Sequence, residues 1–314
     1  MRRRCRATLL ALTAVLFVGV TACGDDDEDP AETGTTTTTA APEEETTTTG
    51  GDEGAAAEIT TIEATAVDFG YELDGPPPTL APGLVRVDLA NEGTEEHQAT
   101  LIRLNDGVTL DQFAAAAGAD ETGVTAFGLF TGYGGPNAAA PGATSSSTQA
   151  LVAGDYLMIC FIPSPSDGVP HAAKGMLLPF TVEGEEATDA TLADDEVGGE
   201  IELLEFGFGV PDDFNGEGTF AIANNGEQQH EATFYALADG ATLDDALAFF
   251  GGAATGPPPF ESAGGLAAVA PGVDAYVELD LPPGEYALVC FLPDTAGDGA
   301  PHFTKGMALQ VTVE

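Results

Sequence analysis

The 314-residue chain has no tryptophan and very little positive charge: eight Lys and Arg together stand against 52 Asp and Glu, a formal net charge of −44. A surface this acidic repels polyphosphates and anionic headgroups, which excludes nucleic-acid binding. Histidine, cysteine and methionine are as scarce, with four of each. There is no Ser/His/Asp grouping and no glycine loop suited to cradling phosphate, so the usual hydrolase and nucleotide chemistries have nothing to stand on. Long apolar runs are missing too. The one between Ala7 and Ala22 is shorter than the roughly 20 residues that a membrane-crossing helix needs.

That run sits behind Arg2, Arg3, Arg4 and Arg6, and residues 1–23 read as an export signal. It ends Val20-Thr21-Ala22-Cys23, which resembles a bacterial lipoprotein cleavage box. The resemblance implies lipidation of Cys23 and an exported protein in the cell envelope, anchored through lipid to the outer face of the membrane. Without the signal, only Arg86, Arg103, Lys174 and Lys305 oppose the 52 acids, a formal charge of −48. Residues 24–58 follow, with acidic runs (Asp25 to Asp29, Glu43 to Glu45) and threonine runs (Thr35 to Thr39, Thr46 to Thr49). So little apolar content builds no core, and a disordered tether with a reach of roughly 30–35 Å is expected.

The rest reads as a tandem repeat, 59–183 and 200–314, joined by an acidic linker, 184–199. Asp106-Gly-Val-Thr-Leu-Asp111 is answered by Asp239-Gly-Ala-Thr-Leu-Asp244, Ala140-Pro-Gly142 by Ala270-Pro-Gly272, and Gly154-Asp-Tyr156 by Gly284-Glu-Tyr286. Alternation dominates within each repeat: Val85, Val87 and Leu89 face one way and Arg86 and Asp88 the other, while Tyr156, Met158 and Cys160 share a face. Short strands and Pro/Gly turns predict an all-β fold of two Greek-key sandwich domains. Each is interrupted by a short helical insert, with Thr109 and Thr242 as N-caps.

All four histidines fall at matched positions. His97 and His230 each stand four residues after a glycine, at the start of a strand. Then come Cys160, Pro170-His171 and Lys-Gly-Met176 in one repeat, and Cys290, Pro301-His302 and Lys-Gly-Met307 in the other. Cysteine, histidine and methionine form a soft donor set that suits copper better than zinc, calcium or magnesium. Two readings without metal stand beside it. One is a Cys160–Cys290 disulfide, which needs two equivalent strand ends to meet. The other is plain core packing, which leaves a metal-free tandem β-sandwich surface lipoprotein.

The order turn, His, Gly-x-Tyr-x-x-x-Cys, His, Met resembles the cupredoxin family of blue-copper proteins, and the resemblance spans both repeats. It implies two cupredoxin-like domains with one type 1 copper each, held by His97, Cys160, His171 and Met176 and by His230, Cys290, His302 and Met307. Hydrogen bonds to the sulfur tune such a site, and Asn91 and Asn225, near the first histidines, are the residues expected to supply them. Electron transfer with a redox partner protein, a basic one given the acidic surface, follows from the resemblance; copper storage or delivery is the alternative. The loop from Cys to His, ten and eleven residues long, exceeds that of the family's small electron carriers. Multicopper oxidases and copper nitrite reductases also resemble tandem cupredoxin domains but use more histidines. With all four assigned here, the chain is expected not to be an enzyme.

Overall fold

Period-two alternation turns this sequence into sheets, because successive strand residues face opposite ways. The computed structural model describes residues 58–314 apart from 76, 118, 120–122 and 186–189. The export signal, Cys23 and the tether up to residue 57 lie outside the described residues. The strands of the first half are β1 (Ile59–Val67), β2 (Gly70–Leu73), β3 (Thr79–Leu80), β4 (Gly83–Asn91), β5 (Thr100–Leu104), β6 (Phe130–Gly132), β7 (Thr144–Leu151), β8 (Gly154–Ile159) and β9 (Leu177–Val182). Two short helices, α1 (Leu110–Ala117) and α2 (Val124–Phe127), separate β5 from β6. The second half runs in the same order: β10 (Glu200–Leu204), β11 (Gly207–Gly209), β12 (Glu217–Asn224), β13 (His230–Leu237), the helix α3 (Leu243–Phe250), β14 (Phe260–Val269), β15 (Ala275–Asp280), β16 (Gly284–Val289) and β17 (Ala308–Val313).

Each half is a sandwich with its own core. In the first, Ile62, Ala64 and Ala66 of β1 and Val85, Val87 and Leu89 of β4 close on Leu101, Tyr156, Met158, Phe180 and Val182 from the facing sheet β3-β9-β8-β5-β6. In the second, Ile201, Leu203, Phe220 and Ile222 meet Phe234, Leu288, Val311 and Val313, which belong to the sheet β14-β13-β16-β17. The helices cover the outer faces of these latter sheets. Phe113 of α1 packs with Phe130 and Leu157, and Ala246 of α3 with Tyr235 and Ala287. Thr109 and Gln112 bond each other's backbone amides at the start of α1, and Thr242 and Asp245 do the same for α3, two capping boxes. The Gly-x-Tyr motif also has a physical reason. The Tyr156 hydroxyl donates back to Val152 O at 3.0 Å and that of Tyr286 to Pro282 O at 2.6 Å, pinning the corner that feeds each cysteine strand.

The two remaining half-sheets fuse into one eight-stranded sheet, β11-β10-β12-β15-β7-β4-β1-β2. The fusion joins like to like: β7 pairs antiparallel with its counterpart β15, Ser147 opposite Val277, each seven residues past the alanine of its Ala-Pro-Gly turn. A second join lies four residues before those alanines, where Pro136 bridges Leu266. Around it, Gly134 N donates to Ala268 O (2.8 Å), Ala267 N to Gly135 O (2.9 Å) and Asn137 N to Gly265 O (3.1 Å). Antiparallel pairing of equivalent positions at both joins relates the halves by an approximate two-fold axis. The Arg86–Glu278 ion pair bridges them at the sheet surface.

Candidate metal centre

One polar residue shapes the turn that delivers each first histidine. Asn91, closing β4, accepts from Gly93 N and donates to Glu95 O and Ala139 O, each at 2.8 Å. His97 emerges from that turn and is fixed by backbone bonds to Ala139 in both directions. Gly93 is dictated by crowding, since a Cβ there would lie 2.6 Å from His97 Nε2; Gly226 stands in the same relation to His230.

The late loop then folds back onto the cysteine. Pro163 bridges Pro170, Gly168 takes the left-handed turn that Asp167-Gly168 anticipates, and Lys174 clamps Asp167 at 3.0 Å. His171 N donates to Ile162 O (2.9 Å), Ala172 N to Cys160 O (2.8 Å), Met176 N to His171 O (3.0 Å) and Cys160 N to Met176 O (3.2 Å). The second half repeats all four: His302 N to Leu292 O (2.8 Å), Phe303 N to Cys290 O (2.9 Å), Met307 N to His302 O (3.1 Å) and Cys290 N to Met307 O (3.2 Å). Each loop therefore brings a histidine and a methionine to its cysteine despite its length. Met176 and Met307 are fully buried, each in the same core cluster as that cysteine.

Three donor atoms converge in each half. His97 Nδ1 lies 3.1 Å from His171 Nδ1, which lies 3.3 Å from Cys160 Sγ. His230 Nδ1 lies 3.1 Å from His302 Nδ1, which lies 3.4 Å from Cys290 Sγ. The ligand atoms of either triplet fall within 4.8 Å of one another, all six side chains are buried, and both cysteines are free thiols. Burial pushes the Cys160 thiol up to about 12 and raises that of Cys290 as well. The backbone amides of Gln98 and Ile162 face the first sulfur, and those of Glu231 and Leu292 the second. Burial also lowers His171 and His230, and His302 to about 4, because it penalises the charged ring.

The outward nitrogens decide what the inward ones can be. In the first half His97 Nε2 meets Asp68 Oδ1 at 2.9 Å and His171 Nε2 meets Glu95 Oε2 at 2.8 Å. The Thr94 hydroxyl, followed by His97, holds the Asp68 carboxyl down to about 2. Glu95 is lowered too: desolvation opposes this, but hydrogen bonds from Ser164 and His171 outweigh it. With the Nε2 atoms facing carboxylates, the two Nδ1 atoms turn inward, 3.1 Å apart beside a buried sulfur. Two imidazoles and a cysteine sulfur, with a methionine in the same core, are a donor set that suits copper.

Asp68 and Phe69 form the turn between β1 and β2, and Glu205 and Phe206 the turn between β10 and β11. The Phe69 ring packs 4.8 Å from that of His171, and Phe206 5.1 Å from that of His302. Sequence reasoning missed these residues, although Asp68-Phe-Gly70 and Glu205-Phe-Gly207 form one more matched pair. It misplaced another. Asn225 is exposed and bonds Glu202 Oε1 at 3.2 Å, so it supports no ligand. Its neighbour Asn224 does the work of Asn91, accepting from Gly226 N at 3.0 Å and donating to Gln228 O and Val269 O. Strand alternation turns one member of the Asn-Asn pair inward and the other to solvent. Nor does Asn91 bond the cysteine sulfur; its side chain bonds Gly93 and Glu95 in the His97 turn and Ala139, the backbone partner of His97. Two carboxyls, the half-buried Glu96 and the buried Glu231, complete the surroundings. Glu96 accepts from the Tyr235 hydroxyl of the other half at 3.5 Å, Glu231 accepts from Phe291 N at 2.8 Å, and burial pushes both up to about 7.

No family model matches the chain, and no curated protein matches it. Solved structures do. Reduced auracyanin from Roseiflexus castenholzii matches with 20% identity over 41% of this chain and 100% of its own, at a TM-score of 0.26. Blue copper oxidase from Nitrosomonas europaea matches with 16% identity over 81% and 86%, at 0.24. Copper nitrite reductase from the same organism matches with 14% identity over 82% and 94%, at 0.23. At such identities and scores, the sandwich fold rests on the strand pairing described above. One expectation needs correction all the same. Two of these chains are matched across both halves and are named as enzymes, so a count of four histidines does not make this chain a non-enzyme.

Proposed function

We propose that the chain is a copper protein that handles single electrons, with a type 1 centre in each half and a lipid anchor at Cys23. His97, Cys160, His171 and Met176 would hold one ion, and His230, Cys290, His302 and Met307 the other. The observation that carries this reading is the convergence, in each half, of two buried histidine Nδ1 atoms on a buried cysteine sulfur, with a buried methionine in the same core. Copper, when bound, supplies a one-electron couple. The chain supplies rigidity: every ligand lies on backbone that is hydrogen-bonded on both sides, so a change of charge asks little movement of the donors. Deprotonation of a thiol that burial has pushed up so far is driven by the metal itself. Tandem duplication of one cupredoxin-like unit accounts for the matched landmarks. The acidic surface favours a basic redox partner, and the tether would let the protein meet it close to the membrane.

Titration of metal-free protein with Cu(II) tests the reading. Two coppers per chain are expected, each with the intense visible absorption of thiolate-to-Cu(II) charge transfer. Cys160→Ser and Cys290→Ser should each remove one copper and its share of the colour. A colourless protein without bound copper refutes the proposal, and tight Cu(I) binding with no accessible Cu(II) form assigns the chain to storage or delivery instead.

A further inference from the structure

The two centres use the same ligands but are braced differently. In the first half both outward imidazole nitrogens meet carboxylates, Asp68 and Glu95. In the second, Gln228 stands where Glu95 stands, two residues before the histidine. Its amide is committed elsewhere. Oε1 accepts from Thr295 N and Thr295 Oγ1, both at 2.7 Å, and from Ala296 N at 3.2 Å, while Nε2 donates to Glu205 Oε1 (2.8 Å) and Asp294 Oδ1 (3.1 Å). Glu205, the counterpart of Asp68, lies 3.6 Å from His230 Nε2 and is bonded instead by Glu227 N. The Nε2 atoms of His230 and His302 are buried and have no hydrogen-bond partner among the described residues. Asp294 replaces Ser164 in the loop, but Lys305 binds its charge at 2.9 Å. Each half also has one further carboxyl near its cysteine, the half-buried Glu96 in the first and the buried Glu231 in the second.

We propose that the exchange of Glu95 for Gln228 sets the two centres apart in potential, the first lower and the second higher, so that a single electron placed on the protein settles in the second half. This rests on the reading that both halves bind copper. A carboxylate that accepts the imidazole N–H makes the ring a stronger donor, and its negative charge beside a buried site favours the more positive oxidation state. An amide turned toward Thr295 does neither. With copper held in both halves, one electron would pass from the reduced first centre to the oxidised second. No bond is made or broken, and no other reactant takes part. A line of contacts connects the two: Phe291, next to Cys290, has its ring 5.9 Å from that of Tyr235, whose hydroxyl meets Glu96, next to His97.

Potentiometric titration of the two-copper protein, followed by visible absorption, tests this. Two steps are expected, separated by at least tenfold in equilibrium constant, which is about 59 mV for a one-electron couple. Glu95→Gln should shift only the lower step, upward by about tenfold, because affinity for Cu(II) falls more than affinity for Cu(I). Gln228→Glu should shift only the upper step, downward, which keeps the proposal testable if the first variant folds poorly. A merely structural role for Glu95 would weaken copper binding in both oxidation states and leave the potential in place. Two coppers titrating in one step, or Glu95→Gln moving neither step or the upper one, overturns the inference. Metal analysis finding fewer than two coppers refutes the reading beneath it.

Discussion

Gly93→Ala isolates how the first histidine is held. The backbone of Gly93 lies outside the left-handed region, so alanine adopts it freely and the whole cost is contact. The new Cβ would sit 2.6 Å from His97 Nε2 and 2.5 Å from Asp68 Oδ1, against an ordinary contact of 3.4 Å or more. The His97 ring is fully buried against His171 and cannot yield, whereas Asp68, exposed and held by the amide and hydroxyl of Thr94, is pushed toward solvent. The His97–Asp68 bond must therefore break. A hydrogen bond to a charged group contributes about 1.5–3 kcal/mol, so the metal-free protein should lose about 2 kcal/mol. For a fold of this size that corresponds to a fall of roughly 4–8 °C in unfolding midpoint. Loss of a carboxylate behind a ligating imidazole weakens metal affinity about 10- to 100-fold, so bound copper should stabilise the variant by about 1.4–2.7 kcal/mol less than it does the parent. Thermal unfolding with and without copper, together with chelator competition at each centre, measures both. Gly226→Ala should reproduce the defect in the second half only. A Gly93→Ala protein with the parent's midpoint and copper retention would show that the turn yields and that Asp68 does not hold His97.

Two further substitutions probe the surroundings. Phe69→Ala removes the half-buried ring that covers His171; it should cost on the order of 2 kcal/mol and speed the loss of copper to a chelator from the first centre alone, as Phe206→Ala should from the second. Lys305→Met removes the cation bound to Asp294 (2.9 Å) and Asp298 (2.8 Å). Hydrogen bonds from Lys305 hold both carboxyls below their ordinary range, so the stabilisation is present at neutral pH and is lost as the pH falls through the folded-state values. The variant should unfold at lower denaturant concentration near neutrality and approach the parent in acid, as urea titrations at the two pH values would register.

The site residues stand out in the sequence because they are so few. Four histidines and two cysteines in the described region recur at fixed distances, and the prolines and Asp-Gly pairs between them prescribe a loop that doubles back on itself. The inward faces of β4 and β8 were legible from alternation for the same local reason. Asp68 and Glu205 were not, because each is brought near its histidine by the turn after a strand that pairs in parallel with another, a placement that no local pattern encodes. Nor could the sequence separate Asn224 from Asn225: adjacent identical residues differ only in which face of the strand they occupy. The joins between the halves were equally hidden. β7 carries serine and threonine at positions that read as a solvent-facing strand, yet Ser147 and Thr148 are buried because another strand of the same protein lies alongside.

That fused edge has a consequence for any fragment of the protein. Because β7 and β15 are counterparts laid against each other, cutting the chain between residues 184 and 199 and separating the pieces would strip each of the one neighbour that fits its border. The bare border of either piece is complementary to a second copy of itself. A liberated half is therefore expected to come off a sizing column as a symmetric dimer, rebuilding with a twin the seam it lost.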